Sequence, residues 1–514
     1  MNTIRDLIQR QARERPDAPY ALSADGSACV TYGALFDACA QVGALLDGLG
    51  VAPGQTVSLA MPNGLMTLQL LLGAMAGGRC VHPVNLLSQP EQMRYVLTHS
   101  DCRAVLAAPE WEAPLRAMLN GLDRPVRLLV IDPHALQVPA PPGPPLAISA
   151  TAESPPRRAT GQGPAKPQDT ALLMYTSGTT GQPKGVMLTQ ANLVANALAI
   201  SAEHALTDQD RVLGVLPLYH INAFAVTMLA PLAQGGSVAL VPKFSAAAFW
   251  QQAVDRRCTW INVVPTIISY LLEGPTPPRE SLAAIRFCRS ASAPLPVEHL
   301  LAFQDRFGIG VIETMGLTET VAPCFSNPLD AARRKVGSVG RASGCEARVV
   351  DAALAEVPHG ATGEVAIRGP SVMLGYYKNP QATATAFTPD GWLRSGDLGQ
   401  RDAEGFFFIT GRIKELIIKG GENIAPREID EALLRHPGVL DAAAVGIPDK
   451  HYGQEIMVCV VLREGSHCTE DELRAHCLEQ LGRYKTPKLI RFVPDLPRGP
   501  SGKVQRLKLA ELAH

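Results

Sequence analysis

Short apolar strand signals alternate with helical signals along much of this chain. Val57-Ser-Leu-Ala60 is typical of a strand, residues 65–76 resemble a buried helix, and Arg103-Ala-Val-Leu-Ala107 predicts a further strand. The alternation returns between residues 192 and 288. Because strand–helix–strand units join parallel strands, the pattern predicts a layered α/β fold with a mainly parallel sheet.

The pattern changes twice towards the C-terminus. Between residues 337 and 376 short strand signals and turns predominate, which predicts a smaller β subdomain. After residue 411 a separate set of strand and helix signals covers about 100 residues, the size of an independent domain. We therefore predict a large, multi-subdomain N-terminal α/β domain at 1–411 and a small α+β domain at 412–514.

Composition excludes several classes of protein. The 514 residues carry a net charge of −1 and only 5% aromatic residues, which disfavours a nucleic-acid-binding surface. The most apolar segment, at 65–76, is shorter than the roughly 20 residues that a membrane-spanning helix needs. The eleven cysteines are dispersed without a C-x-x-C pair, which predicts reduced thiols and a cytoplasmic location.

One loop has the composition of a phosphate-binding segment. Tyr175-Thr-Ser-Gly-Thr-Thr-Gly-Gln-Pro-Lys-Gly185 combines hydroxyl groups, glycines and a lysine. Glycine lets backbone N–H groups approach a ligand closely, and hydroxyl groups and Lys184 add donors and charge. The spacing is not that of a Walker A loop. A flexible surface turn is the alternative, and a generic phosphate-loop NTPase is disfavoured.

Seven motifs occur in a fixed order along the chain. They are the loop at 176–185, Pro217-Leu-Tyr-His220, Met315-Gly-Leu-Thr-Glu319, Gly391-Trp-Leu-Arg-Ser-Gly-Asp397, Gly411-Arg-Ile-Lys414, Gly420-Gly-Glu-Asn-Ile-Ala-Pro426 and Ser501-Gly-Lys503. In this order, and over nearly the whole chain, they resemble the adenylate-forming acyl-CoA synthetase superfamily. The resemblance implies an AMP-forming acid–thiol ligase that uses ATP, Mg²⁺ and coenzyme A, with a small-molecule carboxylic acid as substrate. It leaves the oligomeric state open, with a homodimer as one option.

The resemblance also implies roles for the motif residues. Lys503 would bridge the acid and the α-phosphate, Thr318 would contact the α-phosphate, Glu319 would ligate Mg²⁺, and Lys414 would be the hinge. The nucleotide and coenzyme A would be held by Thr176, Ser177, Gly178, Thr179, Thr180, Gly181, Lys184, Met315, Gly316, Asp397, Arg412, Gly420 and Gly421. Met315 departs from the pattern, since the family usually has an aromatic residue there; a thioether can still pack on adenine.

Each of these motif residues also has a simpler interpretation. Thr318 and Glu319 could form an ordinary helix N-terminus, Asp397 an Asx-turn, and Gly420-Gly421 a plain hairpin turn. Lys503 could be a solvated charge. In isolation these interpretations compete well, and it is the ordered set of motifs that favours the functional ones.

The acyl pocket is predicted less sharply than the nucleotide site. The resemblance places it at His220, Asn222, Thr266, Arg289, Ser290, Ala291 and Ser292, with His220 also in the catalytic set. Arginine suits bidentate recognition of a carboxylate or sulfonate, although Arg289 could instead be structural and pair with Glu313.

Three local segments are most similar to oxalate–CoA ligases. They are Phe244-Ser-Ala-Ala-Ala-Phe-Trp250, Val264-Pro-Thr-Ile267 and Cys288-Arg-Ser-Ala-Ser-Ala293. Those ligases have a second histidine and a glycine where Asn222 and Ala223 stand here, a departure that counts against oxalate as the acid. We therefore predict a small polar acid with a second anionic group, such as oxalate or a sulfo- or dicarboxylic acid.

Other substrates and other functions stay open at this point. Fatty and aryl acids are alternatives for the acid, and a stand-alone adenylation enzyme that loads a separate carrier protein shares every motif. A non-ligating relative with the same fold is a further alternative. The presence of Glu319, Asp397 and Lys503 argues against that last interpretation.

Overall fold

The computed structural model describes residues 1–141, 165–176, 182–498 and 504–513. The α-helices are α1 (Ile4–Glu14), α2 (Tyr32–Gly48), α3 (Leu65–Ala76), α4 (Pro90–His99), α5 (Glu112–Leu119), α6 (Gln190–Glu203), α7 (Ala230–Gln234), α8 (Phe249–Asp255), α9 (Pro265–Glu273), α10 (Val297–Phe307), α11 (Pro380–Ala386), α12 (Pro426–Leu434), α13 (Glu470–Lys485) and α14 (Arg506–Leu509). A π-helix covers Ala223–Leu229, and 3-10 helices cover Pro109–Trp111, Arg279–Leu282, Thr318–Thr320, Ala331–Arg333, Ile413–Glu415 and Ala510–Ala513.

The strands form four sheets. Those of the N-terminal part up to residue 315 are β1 (Pro19–Ser23), β2 (Cys29–Thr31), β3 (Thr56–Ala60), β4 (Cys80–Pro83), β5 (Ala104–Ala107), β6 (Arg127–Val130), β7 (Thr170–Thr176), β8 (Lys184–Thr189), β9 (Arg211–Gly214), β10 (Ser237–Leu240), β11 (Trp260–Val263), β12 (Phe287–Ser290) and β13 (Val311–Met315). The rest are β14 (Phe325–Ser326), β15 (Arg341–Ala342), β16 (Glu346–Val350), β17 (Gly363–Arg368), β18 (Gly375–Tyr376), β19 (Leu393–Arg401), β20 (Phe407–Arg412), β21 (Ile417–Lys419), β22 (Glu422–Ile424), β23 (Val439–Asp449), β24 (Gly453–Leu462) and β25 (Leu489–Phe492).

Two large sheets with parallel centres build the N-terminal part. One has nine strands in the order β15-β14-β13-β12-β11-β9-β10-β1-β2, and the other has seven in the order β18-β8-β7-β4-β3-β5-β6. Helix α3 is buried along its whole length, which explains why its sequence is apolar on every face. The prediction of a layered α/β fold with a mainly parallel sheet is confirmed.

The central strands β11, β12 and β13 run parallel and end at the same edge of the nine-stranded sheet. The segments that follow them contain Thr266, Ser292 and Gly316, which come from three different motifs. In open α/β sheets, ligands bind beyond the carboxyl ends of the strands, so this edge is where a site is expected.

Two smaller sheets complete the chain. Strands β16, β17, β19 and β20 form an antiparallel sheet, which confirms a β subdomain but extends it to Arg412, beyond the predicted range 337–376. Strands β21 to β25 form a separate sheet, and α12 and α13 pack on it around a second apolar cluster that includes Ile417, Leu433 and Val458. This C-terminal unit is the predicted small α+β unit.

The structure corrects two elements that the sequence predicts. Ala284-Ile-Arg-Phe-Cys288 predicts a strand, and the observed strand lies at Phe287–Ser290, directly after Arg286, whose side chain forms an ion pair of 2.6 Å with Asp210. The segment 426–436 predicts a capped helix, and the observed helix ends at Leu434 and has no side-chain cap. Pro426 takes its first position, where a missing N–H costs nothing.

Within the described residues, the state of the cysteines and the hydropathy of the helices agree with the predictions. All eleven cysteines are free thiols and seven of them are buried. Within the described ranges, no helix combines the length and the apolar character that crossing a bilayer requires.

Candidate active site

A cavity of about 520 Å³ lies between the large unit and the C-terminal unit. From the large unit it is lined by predicted site residues, namely Thr266, Ser292, Met315, Gly316, Asp397 and Arg412. The C-terminal unit contributes charged side chains, among them Arg427, Asp430 and Arg506. The volume suits a nucleotide-sized ligand, and residues from four separate motifs converge on it.

Asp397 and Arg412 face each other across two antiparallel strands at this cavity. They are paired directly in the register of β19 and β20, and Arg412 Nε lies 2.8 Å from Asp397 Oδ1. Asp397 is only 3% exposed, and its negative charge raises the pKa of Arg412. The carboxylate is therefore held by an ion pair with Arg412 in a strand.

Glu319 is fixed by a tyrosine that the sequence analysis did not single out. The Tyr376 hydroxyl donates to Glu319 Oε1 at 2.8 Å, and the Met373 N–H donates to the Glu319 carbonyl at 2.8 Å. Lys184 Nζ lies 4.9 Å from the centre of the Tyr376 ring. The lysine of the phosphate-like loop and the acid of a distant motif are thus brought together on one side chain.

The turn after Glu319 has an unusual backbone. Val321 and Ala322 have φ values of 62° and 58°, in the left-handed region that β-branched residues rarely adopt. Asn196 on α6 stabilises the turn by donating to the Ala322 and Pro323 carbonyls at 2.9 Å. A Cβ on Gly316 would lie 2.7 Å from the Ala322 carbonyl carbon, so glycine is required there. Strain of this kind is concentrated at functional sites.

Arg289 is fully buried in a polar network behind the cavity. Its Nη1 donates to Asn222 Oδ1 at 2.8 Å and to Asn262 Oδ1 at 2.7 Å. Asn262 also donates to Thr227 of the π-helix at 3.2 Å. Burial lowers the pKa of Arg289 to about 9, so the guanidinium is still protonated at neutral pH. Its Nε and Nη2 have no hydrogen-bond partner among the described residues.

The alternative prediction, in which Arg289 pairs with Glu313, is wrong. Strand register aligns Arg289 with Ile312 and Ser290 with Glu313. Because neighbouring side chains alternate between the faces of a sheet, Glu313 and Arg289 lie on opposite faces. No carboxylate lies within ion-pair distance of Arg289 in the part of the chain that the structure describes.

The same alternation separates Arg289 from Ser290, so these two predicted pocket residues do not act on one face. Glu313, on the face of Ser290, lines the cavity instead, and burial raises its pKa to about 7. The sequence placed both residues in one motif, and only the pleat of the strand shows that they diverge.

Ser292 links the Arg289 network to the cavity. Its Oγ accepts from Asn222 Nδ2 at 3.2 Å, and Ser292 itself lines the cavity. Its φ of 77° lies in the left-handed region, which is unusual for serine. Two donors, from Arg289 and Asn262, converge on Asn222 Oδ1, and this fixes the amide with its N–H₂ directed towards Ser292. Hydrogen bonds therefore connect the positive charge of Arg289 through Asn222 to Ser292 at the cavity wall.

His220 lies at the start of the segment that carries Asn222. Its carbonyl accepts from the Phe224 N–H at 2.9 Å, and its ring is 4.8 Å from that of Tyr219. The segment is fixed by Asn63, which accepts from the Leu218 N–H at 2.9 Å. Asn63 is 155 residues away in sequence, and no pattern in the sequence indicates this contact.

Of the remaining predicted site residues, six lie outside the described residues, namely Ser177, Gly178, Thr179, Thr180, Gly181 and Lys503. Gly420 and Gly421 form the hairpin turn between β21 and β22, both with positive φ. Lys414 is exposed in a 3-10 helix between β20 and β21. Ala291 is buried.

Fold and site together define a class of enzyme. A nucleotide-sized cavity at the carboxyl edge of an α/β sheet, closed by a small α+β unit, is what an adenylate-forming ligase requires. The model of the AMP-binding enzyme family matches residues 8–377, and that of the AMP-binding enzyme C-terminal domain matches residues 428–503. The chain belongs to the AMP-binding enzyme family.

Its relatives include ligases of small acids. The chain is 58% identical to a sulfoacetate–CoA ligase of Cupriavidus necator, over 99% of this chain and 97% of that protein. It is 35% identical to an oxalate–CoA ligase of Arabidopsis thaliana, over 99% and 98% of the two chains. The ATP-bound crystal structure of MatB from Rhodopseudomonas palustris superimposes with a TM-score of 0.89 at 30% identity, covering 100% of this chain and 99% of that one. The predicted class, an AMP-forming acid–CoA ligase, is confirmed.

Proposed function

We propose that this chain is an AMP-forming sulfoacetate–CoA ligase. The acid carboxylate attacks the α-phosphorus of ATP, which releases pyrophosphate and forms the acyl-adenylate. The thiol of coenzyme A then displaces AMP and forms the thioester. Both steps need positioning and neutralisation of charge more than covalent help from the protein.

The observation that carries the choice of acid is the buried Arg289. A buried cation without a counter-ion is costly, and leaving one costs about 3–5 kcal/mol. Such a charge is retained where a ligand supplies the compensating anion. Sulfoacetate carries a second anion one carbon away from its carboxylate, and the relative of 58% identity acts on it by name.

A hydrogen-bond chain that ends at the cavity supports the same choice. It runs from Arg289 through Asn222 to Ser292, which lines the cavity. We propose that the sulfonate binds against Ser292 and Asn222, with Arg289 as the positive charge behind them. His220 and Thr266 would border the carboxylate end of the acid. An aliphatic or aryl acid would leave this network without an anion.

We assign the ATP contacts from the pairs that the structure forms. Asp397 would accept hydrogen bonds from the ribose, Arg412 would support it, and Met315 and Gly316 would border the adenine. Lys184 and the loop before it would contact the β- and γ-phosphates, and Thr318 the α-phosphate.

Glu319 fits a magnesium ion as a single protein ligand. Mg²⁺ prefers hard oxygen ligands and usually takes one or two carboxylates plus phosphate oxygens. Tyr376 occupies Oε1 of Glu319. Within the described residues no cluster of three metal-ligating side chains occurs, so the other ligands would be phosphate oxygens and water. Such an ion supplies charge neutralisation at the phosphates.

We expect removal of the Asp397 carboxylate to abolish recognition of the ribose. In Asp397→Ala, kcat/KM for ATP should fall about 100-fold, because a buried charged acceptor is lost. The wild type should prefer ATP to 2′-deoxy-ATP, and the variant should lose that preference. Glu346→Ala removes an exposed cross-strand partner of Arg368 in the same sheet and serves as the matched control. An unchanged preference in Asp397→Ala would refute the assignment.

The boundary between the units is also part of the proposal. We place the large domain at 1–411 and the mobile domain at 412–514, with Lys414 as the hinge. Lys414 is suited to this role since it is exposed and lies in the single connection between β20 and β21. A few residues at such a junction can absorb a large backbone change.

Lys414→Pro is expected to separate the two half-reactions. Proline fixes φ near −65°, so acyl-adenylate formation should stay within about twofold of wild type while thioester formation falls about tenfold or more. Each half-reaction is measured separately, by pyrophosphate exchange and by transfer from supplied acyl-adenylate. Lys414→Ala keeps the backbone free and should behave as wild type in both. Equal rates of thioester formation in Lys414→Pro and Lys414→Ala would refute the hinge.

The direct test of the function is product analysis over a panel of acids. Sulfoacetate, oxalate, malonate, acetate, a fatty acid and an aryl acid are each supplied with ATP, Mg²⁺ and coenzyme A. We expect AMP, pyrophosphate and an acyl-CoA, with sulfoacetate preferred. Preference for a fatty or aryl acid would refute the acid assignment, and AMP without any acyl-CoA would favour a carrier protein as acceptor.

The reduced thiols agree with a cytoplasmic enzyme, which we also propose.

A further inference from the structure

Tyr376 makes two contacts to residues from two different motifs. Its hydroxyl donates to Glu319 Oε1 at 2.8 Å, and its ring lies 4.9 Å from Lys184 Nζ. A cation at this distance is attracted to the negative face of an aromatic ring. One half-buried side chain thus touches both the cation of the phosphate-like loop and the acid of the turn after β13.

Backbone hydrogen bonds connect residues 373–377 to the same two segments, the end of the phosphate-like loop and the turn that carries Glu319. Tyr376 pairs with Val186 in the antiparallel register of β18 and β8, and the following N–H, of Tyr377, donates to the Gly185 carbonyl at 2.7 Å. On the other side the Met373 N–H donates to the Glu319 carbonyl at 2.8 Å. Residues 373–377 therefore tie the end of the loop to the Glu319 turn by backbone bonds, and Tyr376 repeats the link through its side chain.

The hydroxyl has a defined direction in this contact. A carboxylate at neutral pH only accepts, so the Tyr376 O–H must donate. The hydrogen bond fixes Oε1 and therefore the orientation of the whole carboxylate.

We infer that Tyr376 is a positioning residue that holds Lys184 and Glu319 in register for Mg²⁺-ATP. Its ring supports the lysine and its hydroxyl orients the acid, so the two charges meet the triphosphate as one preformed unit. The inference rests on the proposed function, which assigns Lys184 and Glu319 to the triphosphate and its metal ion. Preorganised charges of this kind avoid the cost of reorganisation on binding.

Two substitutions separate the two contacts. Tyr376→Phe deletes the hydrogen bond to Glu319 and keeps the ring beneath Lys184, whereas Tyr376→Leu deletes both. The matched control is Tyr377→Phe, the same change at the next residue, where the hydroxyl also donates to a carboxylate, Asp101 Oδ2, at 2.8 Å.

The measurement is ATP affinity by titration calorimetry on the full chain, with Mg²⁺ and with EDTA. In Tyr376→Phe a hydrogen bond to a charged group is lost, so we expect the Mg²⁺-dependent gain in ATP affinity to fall about tenfold. The ATP affinity in EDTA should be unchanged. In Tyr376→Leu the affinity in EDTA should fall as well. Tyr377→Phe should match wild type in both conditions. The concentration of Mg²⁺ that half-saturates adenylation should rise in Tyr376→Phe by a similar factor.

The outcomes distinguish this inference from the proposed function. A wild type that binds ATP with Mg²⁺ dependence, together with an unchanged Tyr376→Phe, would overturn the inference and leave the function intact. Equal losses in Tyr376→Phe and Tyr377→Phe would also overturn it, because the effect would then be one of general structure. A wild type with no Mg²⁺-dependent ATP binding would overturn both.

Discussion

Replacing Arg289 with methionine is expected to lower kcat/KM for sulfoacetate by about 1,000-fold. Truncating one partner of a buried charge pair costs 2–5 kcal/mol or more, and here the proposed partner is the sulfonate of sulfoacetate. Methionine fills a similar volume without charge, so the buried network loses its cation but not its packing. Activity with acetate, which has no second anion, should change much less.

Two comparisons make this result specific. Arg289→Lys restores a cation but not the planar fork, and should recover part of the lost activity with sulfoacetate. Arg286→Met changes an arginine three residues earlier that pairs with Asp210 outside the site, and should leave the acid preference unchanged. If Arg289→Met reduced sulfoacetate and acetate turnover equally, Arg289 would be a structural arginine and the anion site would lie elsewhere.

Replacing Lys503 with alanine is expected to nearly abolish adenylation, by about 1,000-fold or more, while leaving thioester formation from supplied acyl-adenylate largely intact. The first half-reaction joins two anions, the carboxylate and the α-phosphate, and a cation between them offsets their repulsion and orients the attack. The second half-reaction begins after that bond has formed.

Lys508 supplies the matched control for this experiment. It is an exposed lysine of α14, five residues from Lys503, and Lys508→Ala should leave both half-reactions unchanged. The acyl-adenylate is synthesised chemically and supplied to the enzyme, and transfer of its acyl group to coenzyme A is measured. Adenylation is measured separately, by pyrophosphate exchange. Equal losses in the two half-reactions of Lys503→Ala would contradict the assignment of Lys503 to adenylation.

The sequence was sufficient to recognise some contiguous motifs that meet at one site. Residues 315–319 and 411–414 form two such motifs, and the structure places Met315, Gly316 and Arg412 at one cavity. Helix α3 could also be predicted, since burial on all sides leaves a sequence that is apolar apart from Thr67 and Gln69. In these cases local composition and final environment agree.

Sequence was insufficient where two distant residues must be aligned. Asn262 and Arg289 are 27 residues apart and meet only because β11 and β12 pair in one register. Tyr376 in β18 and Glu319 in the 3-10 helix Thr318–Thr320 are 57 residues apart. A strand register cannot be read from one sequence, and the false pairing of Arg289 with Glu313 followed from this gap.

The π-helix at Ala223–Leu229 shows a further limit. Its seven residues are buried and, apart from Thr227, apolar, and their composition is that of an ordinary helix. The wider turn carries Thr227, whose hydroxyl accepts from Asn262 in the Arg289 network. Single π-turns often occur at functional sites, and their sequence signal is weak.

The most direct test of the account compares sulfoacetate with methylsulfonylacetate in the wild-type enzyme. The second acid replaces one sulfonate oxygen with a methyl group, so it keeps the shape of the substrate and loses its second charge. Because a site built for a buried polar group rejects an analogue that lacks it, we predict a ratio of kcat/KM of about 1,000 or more in favour of sulfoacetate. A ratio near one would contradict the account, since the buried arginine would then make no contribution to the choice of acid.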